Sequence, residues 1–584
     1  MIDIAYDTVL SRVTKPARYT GGEWNAIKKD WSVARARFVL AYPDTYEVGM
    51  SHLGLQILYH VLNGHPDFLA ERAFAVWPDM EEQLRARGMA LASLESRTPL
   101  RDFDVVGFTL PYELTYTNIL NMLDLAGIPV RAADRTSDDP LVIGGGPGAV
   151  NPEPMADFFD ALLIGEGEEA ILEIAEAAAL GDRTEALEAL AAIEGVYVPA
   201  LYQATSEGPG PIGKVAPVNG APARIPRRFM PDLETAPFPT RQIVPFIDTV
   251  HSRVTLEIMR GCTRGCRFCQ AGAVYSPRRF RTVDTLVRQA EEAVAATGHD
   301  DISLLSFTSV DHPQIEELVG ALVSRFGPKG VGVALPSLRA DSFSVGLANK
   351  IQQVRKTGLT FAPEAGTARL RAVIRKQVTE NDLFAAADAA FSSGWTRLKL
   401  YFMIGLPTET EEDVVAIGDL VRRLLTFGRG ALGSRRGRLQ IAVSVGAFVP
   451  KPYTPFQWVG QDDVETLVRR QHLLQQSLRE RSVKLSWTDS GMSAVEAAIS
   501  RGDRRVGRAI EASWRLGSTF DAWSEHFDFD RWQRAFEDVA LDLRDYANAD
   551  LSFEAPLAWD HIGCGPEKAM LRREAEMALS QGEV

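Results

Sequence analysis

The sequence predicts an α/β protein with two strand–helix domains and a mainly helical C-terminal region. Three observations carry this. Short apolar runs alternate with helical stretches from residue 37 to residue 179. Six further strand–helix units span 254–445. Beyond residue 460 most of the chain is periodic at helical spacing. Continuous apolar strands alternating with helices argue a doubly wound parallel sheet. At 584 residues the chain exceeds one ordinary core, so two to four domains are expected.

Residues 1–34 are poorly periodic and read as an N-terminal arm. The first domain is expected over 35–182. Its strand-like runs are 37–43, 72–76, 105–110, 141–146 and 161–165, and its helical runs are 52–62, 113–125 and 168–179. In such sheets ligands bind beyond the carboxyl ends of the strands. Three of these ends carry unusual residues: 44–54 with His52, 109–115 beginning at Thr109, and 144–148 with Gly144, Gly145 and Gly146. Glycines there let a ligand approach the backbone closely. His52 also suits a plain helix-start residue satisfied by local hydrogen bonds.

The stretch 183–250 turns rich in proline and glycine and reads as a small β-hairpin and connector. The second domain is expected over 251–459. Its strands are 254–259, 302–307, 331–335, 359–362, 397–402 and 441–445, joined by helical segments such as 283–296, 382–393 and 411–425. The first strand runs into Gly261-Cys262-Thr263-Arg264-Gly265-Cys266-Arg267-Phe268-Cys269. The thiols are spaced C-x₃-C-x₂-C, and the one other cysteine is Cys564. A disulfide framework shows dispersed, even-numbered cysteines. A structural zinc site shows four ligands. Three clustered thiolates without an obvious fourth suit an iron–sulfur cluster with one iron open to a small molecule. Zinc or a structural role is the competing reading.

Hydrophobic residues are 46% and charged residues 24% of the chain, the composition of a soluble globular protein. No apolar run approaches the ~20 residues of a membrane span, and the N-terminus lacks a secretory pattern. Few, clustered cysteines fit a reducing compartment, so a cytoplasmic protein is expected. The net charge of −14 argues against a chain-wide nucleic-acid footprint. Arg264, Arg267, Arg278, Arg279 and Arg281 nevertheless make the cysteine neighbourhood locally basic. They are either a face with salt-bridge partners or groups that meet an anionic substrate and tune the cluster. In 460–584, helical runs at 464–479, 495–499, 509–515 and 531–545 flank one strand at 483–487. Trp514, Trp523, Trp532 and Trp559 read as core or interface residues rather than base-stacking platforms. Cys564 reads as a lone structural cysteine.

The C-x₃-C-x₂-C spacing resembles the signature of radical S-adenosylmethionine (SAM) enzymes. The resemblance implies a [4Fe-4S] cluster on Cys262, Cys266 and Cys269. It implies that the open iron binds the amino and carboxylate groups of SAM. One electron then cleaves the C–S bond and releases a 5′-deoxyadenosyl radical. The six units of 251–459 resemble the partial (β/α)₆ barrel of that family. Residues 35–182 are similar to the cobalamin-binding-type, Rossmann-like domain that precedes many such barrels. Nearly the whole chain is similar to an uncharacterised radical SAM family of this architecture. One signature is absent: His52 lies in Met50-Ser51-His52-Leu53-Gly54, not in Asp-x-His-x-x-Gly.

Site roles follow from the resemblance. Phe268 would pack near adenine. Ser309, after the second strand, would lie near the methionine amino group, although the common Gly-Gly-Glu is missing there. Arg339 would bind the SAM carboxylate, Glu364 the ammonium or ribose hydroxyls, and the turn at Gly405 the adenine. His52, Thr109, Gly145 and Gly146 would face cobalamin. The string 448–458 resembles cobalamin-type and methylthiotransferase-type radical enzymes. The expected activity is radical chemistry on an unknown substrate, with methyl transfer to carbon leading if cobalamin binds. The alternatives are an RNA-modifying radical enzyme without cobalamin and a non-catalytic iron–sulfur or zinc scaffold. Implied partners are a reductant such as flavodoxin or ferredoxin and a separate small radical-SAM-linked protein, with no membrane.

Overall fold

The computed structural model describes residues 2–206, 208–335 and 359–581. Its first sheet is built from β1 (Ala36–Tyr42), β2 (Phe68–Phe74), β3 (Val105–Thr109), β4 (Leu141–Gly145), β5 (Ala161–Leu163) and β6 (Val196–Tyr197). The spatial order is β2-β1-β3-β4-β5-β6. β1 to β5 run parallel and β6 runs antiparallel to β5. This is the doubly wound order whose direction reverses between β1 and β3, where such sheets bind ligands.

Both faces of this sheet are buried, which is why its strands read as unbroken apolar runs. Phe38, Leu40, Val105 and Ile143 pack with the helices Leu53–Gly64 and Ala170–Ala178. Val39, Ala41, Val106 and Val142 pack on the opposite side with Ile119 and Leu120 of the helix Tyr116–Ala126. That second face is completed from far along the chain. Val495, Ile499, Val506, Ile510, Trp532 and Phe536 belong to the same core. The C-terminal helices Ser490–Ser500, Arg504–Arg515 and Phe529–Asp538 therefore fold back onto the first domain. Trp532 and Trp559 are fully buried. Trp523 Nε1 donates to Asp44 at 3.0 Å and Trp514 Nε1 to Asn121 at 3.3 Å. The four tryptophans thus serve packing, and Cys564 is buried in the same core.

The stretch expected as a connector is partly integral. After the helix Arg183–Ala192 it supplies β6 to the first sheet. The hairpin is present as β7 (Tyr202–Ser206) and β8 (Gly213–Pro217). β9 (Ile225–Pro226) pairs with the late strand Ile562–Gly563.

The second domain begins with β10 (Val254–Glu257), β11 (Met259–Arg260) and β12 (Arg279–Phe280). It continues through β13 (Asp301–Leu305), β14 (Gly332–Ala334), β15 (Leu359–Glu364), β16 (Arg397–Ile404) and β17 (Gln440–Ala447). Two parallel runs result, β10-β13-β14 and β15-β16-β17. A further strand, β18 (Val483–Trp487), lies parallel beside β17, so the sheet extends past residue 459. Along β16, Leu398, Leu400 and Phe402 are buried, while Lys399 and Tyr401 are exposed on the other face. The buried face packs on the helices Glu380–Ser392 and Glu411–Leu432, each such side chain contributing about 1.5–3 kcal/mol. Thr379 with Asp382, and Thr410 with Asp413, close reciprocal caps at these helix starts, which fixes where the preceding loops end and the helices begin.

Candidate cluster loop and interdomain cavity

The cysteines sit in a loop closed at its base. β11 and β12 pair antiparallel, Met259 opposite Phe280 and Arg260 opposite Arg279. Gly261 has φ +90°, and a Cβ there would lie 2.6 Å from the Tyr275 carbonyl oxygen and 2.7 Å from that of Pro277. A side chain is excluded at the entry to the loop. Inside it, Cys269 N–H donates to the Cys266 carbonyl at 3.1 Å, and the short helix Ala271–Val274 follows.

Cys262 and Cys266 are half-buried and Cys269 is the most open of the three residues. Protein still surrounds the Cys269 thiol closely. Burial pushes it up to about 11, the N–H groups of Ala271 and Gly272 lower it, and Cys266 and Cys262 lie near enough to raise it further. The three sulfurs are thus electrostatic neighbours with backbone donors aimed at one of them. Such N–H groups are the protein's means of stabilising cluster sulfur. Among the described residues no three His, Cys, Asp or Glu side chains are closed around a single metal ion.

Three of the five local arginines pair with carboxylates. Arg264 pairs with Asp311. Arg267 is buried against Glu574 at 3.1 Å and donates to the Val373 carbonyl at 2.8 Å. Arg279 holds Glu166 at 2.7 Å. Arg281 is buried and donates to the Ala236 carbonyl at 3.0 Å. Arg278 alone of the five is exposed.

Four of the five residues assigned to SAM are among the described residues. Phe268 packs against an apolar group that includes Ala365, Leu406 and Phe448, so it adjoins the ends of β15, β16 and β17. Glu364 closes β15 at φ +68°, a left-handed conformation that is costly for a glutamate. Its carboxylate pairs with Lys376 at 3.0 Å. Gly405 turns at φ +77°, and its N–H donates inward to Glu409 at 2.7 Å, so this N–H is committed to the turn. Ser309 is fully buried, with its Oγ 3.0 Å from that of Ser306. Arg339 lies outside the described residues.

The second feature is a cavity of about 400 Å³, in the range of small-molecule and cofactor sites. It lies at the carboxyl ends of β1, β3, β4 and β5, at the switch point. His52, Thr109, Gly145 and Gly146 all line it. The barrel supplies the opposite wall through Met259, Arg260, Tyr275 and Phe307. Gly146 has φ +110° and backs onto the Leu110 carbonyl at 3.1 Å from a built Cβ, which keeps the wall thin. His52 is the N-cap of its helix, and its Nδ1 accepts the Leu55 N–H at 3.2 Å. Burial drops its pKa to about 4, so the ring is neutral. With Nδ1 accepting, the proton sits on Nε2, and that nitrogen cannot coordinate a metal.

Sequence reasoning missed the residues on the barrel side of the cavity, and also Glu166 and Glu168. The alternation Gly165-Glu166-Gly167-Glu168 directly after β5 was a legible signal of a ligand-facing turn. Arg260 and Tyr275 carried none, because their place depends on how the two domains meet.

Residues 54–199 match the family model described as "Radical SAM proteins, N-terminal", and residues 256–421 match "Radical SAM superfamily". The chain is 26% identical over 505 residues to an uncharacterised protein of Methanocaldococcus jannaschii, covering 86% of this chain and 97% of that one. A second uncharacterised relative, from Methanopyrus kandleri, is 24% identical over 374 residues, covering 55% of this chain and 65% of its own. Among solved structures, the radical SAM methyltransferase TsrM of Kitasatospora setae, with tryptophan and a SAM analogue bound, aligns at TM-score 0.47 and 16% identity. That alignment covers 72% of this chain and 74% of TsrM. The cobalamin-dependent radical enzyme OxsB, with aqua-cobalamin and SAM bound, aligns at 0.49 and 11%, covering 94% and 81%. With a cysteine loop on the first barrel strand and both family models matched in order, the chain belongs to the radical SAM superfamily and carries its N-terminal domain.

Proposed function

We propose that this protein cleaves SAM reductively at a [4Fe-4S] cluster on Cys262, Cys266 and Cys269, and methylates a substrate with cobalamin seated in the interdomain cavity. The observation that carries this is the cavity itself. One wall is the ligand end of the N-terminal sheet and the other begins at Met259 and Arg260, directly before the cysteine loop.

The donor set fits a cluster: three thiols in one loop, with the N–H groups of Ala271 and Gly272 at Cys269. When bound there, the cluster supplies the electron that cleaves SAM. The chain's own residues do the rest. Phe268 offers an aromatic face beside the ends of β15 and β16. Glu364, half-buried and held by Lys376, places a carboxylate at the end of β15, where an ammonium or ribose would meet it.

The cavity fits a large flat ligand with apolar faces. Gly144, Gly145 and Gly146 thin one side, and the neighbouring rings of Tyr275 and Phe307 line the other. Thr109 offers a hydroxyl and His52 a ring N–H. Because Nε2 of His52 carries the proton, the cobalt would receive no histidine ligand from this position. The carboxylate-paired arginines weigh against a nucleic-acid groove at the loop.

The test is retention of cofactor. After incubation with hydroxocobalamin and gel filtration, about one cobalt per chain and a bound-corrinoid absorbance spectrum are expected. Absence of retained cobalt would remove the methyl-transfer branch and leave SAM cleavage standing.

A further inference from the structure

We infer that Glu166 and Glu168 of the N-terminal domain are positioning residues for the cysteine loop, coupling the cavity to the cluster site. The inference rests on the reading of that loop as the cluster's binding site. Arg260 stands two residues before Cys262, and Arg279 is its antiparallel partner where the loop returns. These two arginines form the base of the loop, and carboxylates of the other domain hold both. Arg260 Nη1 lies 3.1 Å from Glu166, its Nη2 lies 2.6 Å from Glu168, and its Nε lies 2.9 Å from Glu257. Arg279 reaches both oxygens of Glu166, at 2.7 Å and 2.8 Å. The side chains of Glu166, Glu168, Arg260 and Arg279 are at most 10% exposed, so solvent screens these contacts little.

The platform is stiff. Gly165 has φ +117°, and a Cβ there would lie 2.0 Å from the Arg228 carbonyl oxygen. Glu166 N–H donates to that same carbonyl at 3.0 Å, and Met230 N–H donates to the Glu166 carboxylate at 2.7 Å. Glu166, Glu168, Glu257 and Arg260 also line the interdomain cavity. A ligand entering the cavity therefore meets the groups that fix the cysteine loop. Among the described residues the barrel's own carboxylate here is Glu257, on Arg260; without Glu166, Arg279 would keep backbone carbonyls such as that of Pro277 and no paired carboxylate.

Two readouts separate positioning from simple domain glue. The first is the midpoint potential of the reconstituted full-length protein. Reduction adds negative charge to the cluster, so removing a nearby carboxylate charge raises the potential. Glu166→Gln and Glu168→Gln are expected to keep wild-type iron and sulfide, to shift the midpoint upward, and to change the reduced cluster's paramagnetic resonance spectrum. Glu166→Asp is expected to return toward wild type. The second readout is hydrogen exchange of residues 259–280 in the metal-free chain, expected to be about tenfold faster in either glutamine variant. Among the described residues Glu168 pairs with Arg260 and not with Arg279, so Glu168→Gln remains informative if Glu166→Gln folds poorly. A wild-type potential together with wild-type exchange in both variants would overturn the inference. If the wild-type chain took up no iron, the cluster reading would fail, and the exchange experiment would still decide the clamp.

Discussion

Lys451 Nζ lies 2.7 Å from Glu113 Oε1, and this pair ties the segment after β17 to the segment after β3. The same ammonium reaches Glu496 at 2.8 Å and Ser500 Oγ at 2.7 Å, and Tyr112 OH donates to Glu496 at 2.7 Å. Barrel, N-terminal domain and C-terminal helices therefore meet at one cation. Lys451→Met leaves two largely buried carboxylates without it. Breaking such a pair costs about 3–5 kcal/mol. Denaturant unfolding is expected to show a loss of that size, partly recovered in Lys451→Met with Glu113→Gln. An unchanged midpoint for Lys451→Met would mean that this junction is held by something else.

Glu409 gives the molecule a pH dependence of known sign. Burial pushes its carboxyl up to about 7 against the pull of Arg470. In the unfolded chain it ionises near 4.5. Between these values the folded state holds the extra proton, so stability falls as pH rises through the window. The loss amounts to at most about 3 kcal/mol. Glu409→Gln should flatten this part of the stability profile while still accepting the Gly405 N–H. Thermal melts from pH 4.5 to 8 check it. A slope that persists in the variant would place its source elsewhere.

Gly145 tests the cavity. A Cβ there meets only Leu163, at 3.8 Å, so the backbone accepts a side chain, and Gly145 lines the cavity. Gly145→Val is expected to change stability by about 1 kcal/mol at most, to leave iron content unchanged, and to lower retained cobalt at least tenfold. Equal cobalt in variant and wild type would move the corrinoid out of this cavity.

How much of this was readable in advance depended on range. Phe38 and Leu40 on one side of β1, with Val39 and Ala41 on the other, announce a doubly covered parallel strand. Cys262, Cys266 and Cys269 carry their chemistry in their spacing. The capped starts at Thr379 and Thr410 are local too. Two features were not readable, because each is decided by distant residues. The two-residue ladder of β11 and β12 is anchored by Glu166, about a hundred residues earlier. The arginines beside the cysteines have two possible meanings until Asp311 and Glu574 arrive beside them. The Gly405 N–H is claimed locally, by Glu409 four residues on. His52 at a helix start is legible as a cap, while its tautomer follows only from the Leu55 contact.

The central claim is that Cys262, Cys266 and Cys269 hold a cluster that cleaves SAM. Anaerobic reconstitution with iron and sulfide, followed by dithionite and SAM, tests it most directly, with 5′-deoxyadenosine measured by chromatography. The wild-type protein should turn brown and form 5′-deoxyadenosine, and Cys266→Ala should form none. A colourless protein carrying one zinc per chain, with no 5′-deoxyadenosine produced, would contradict the account.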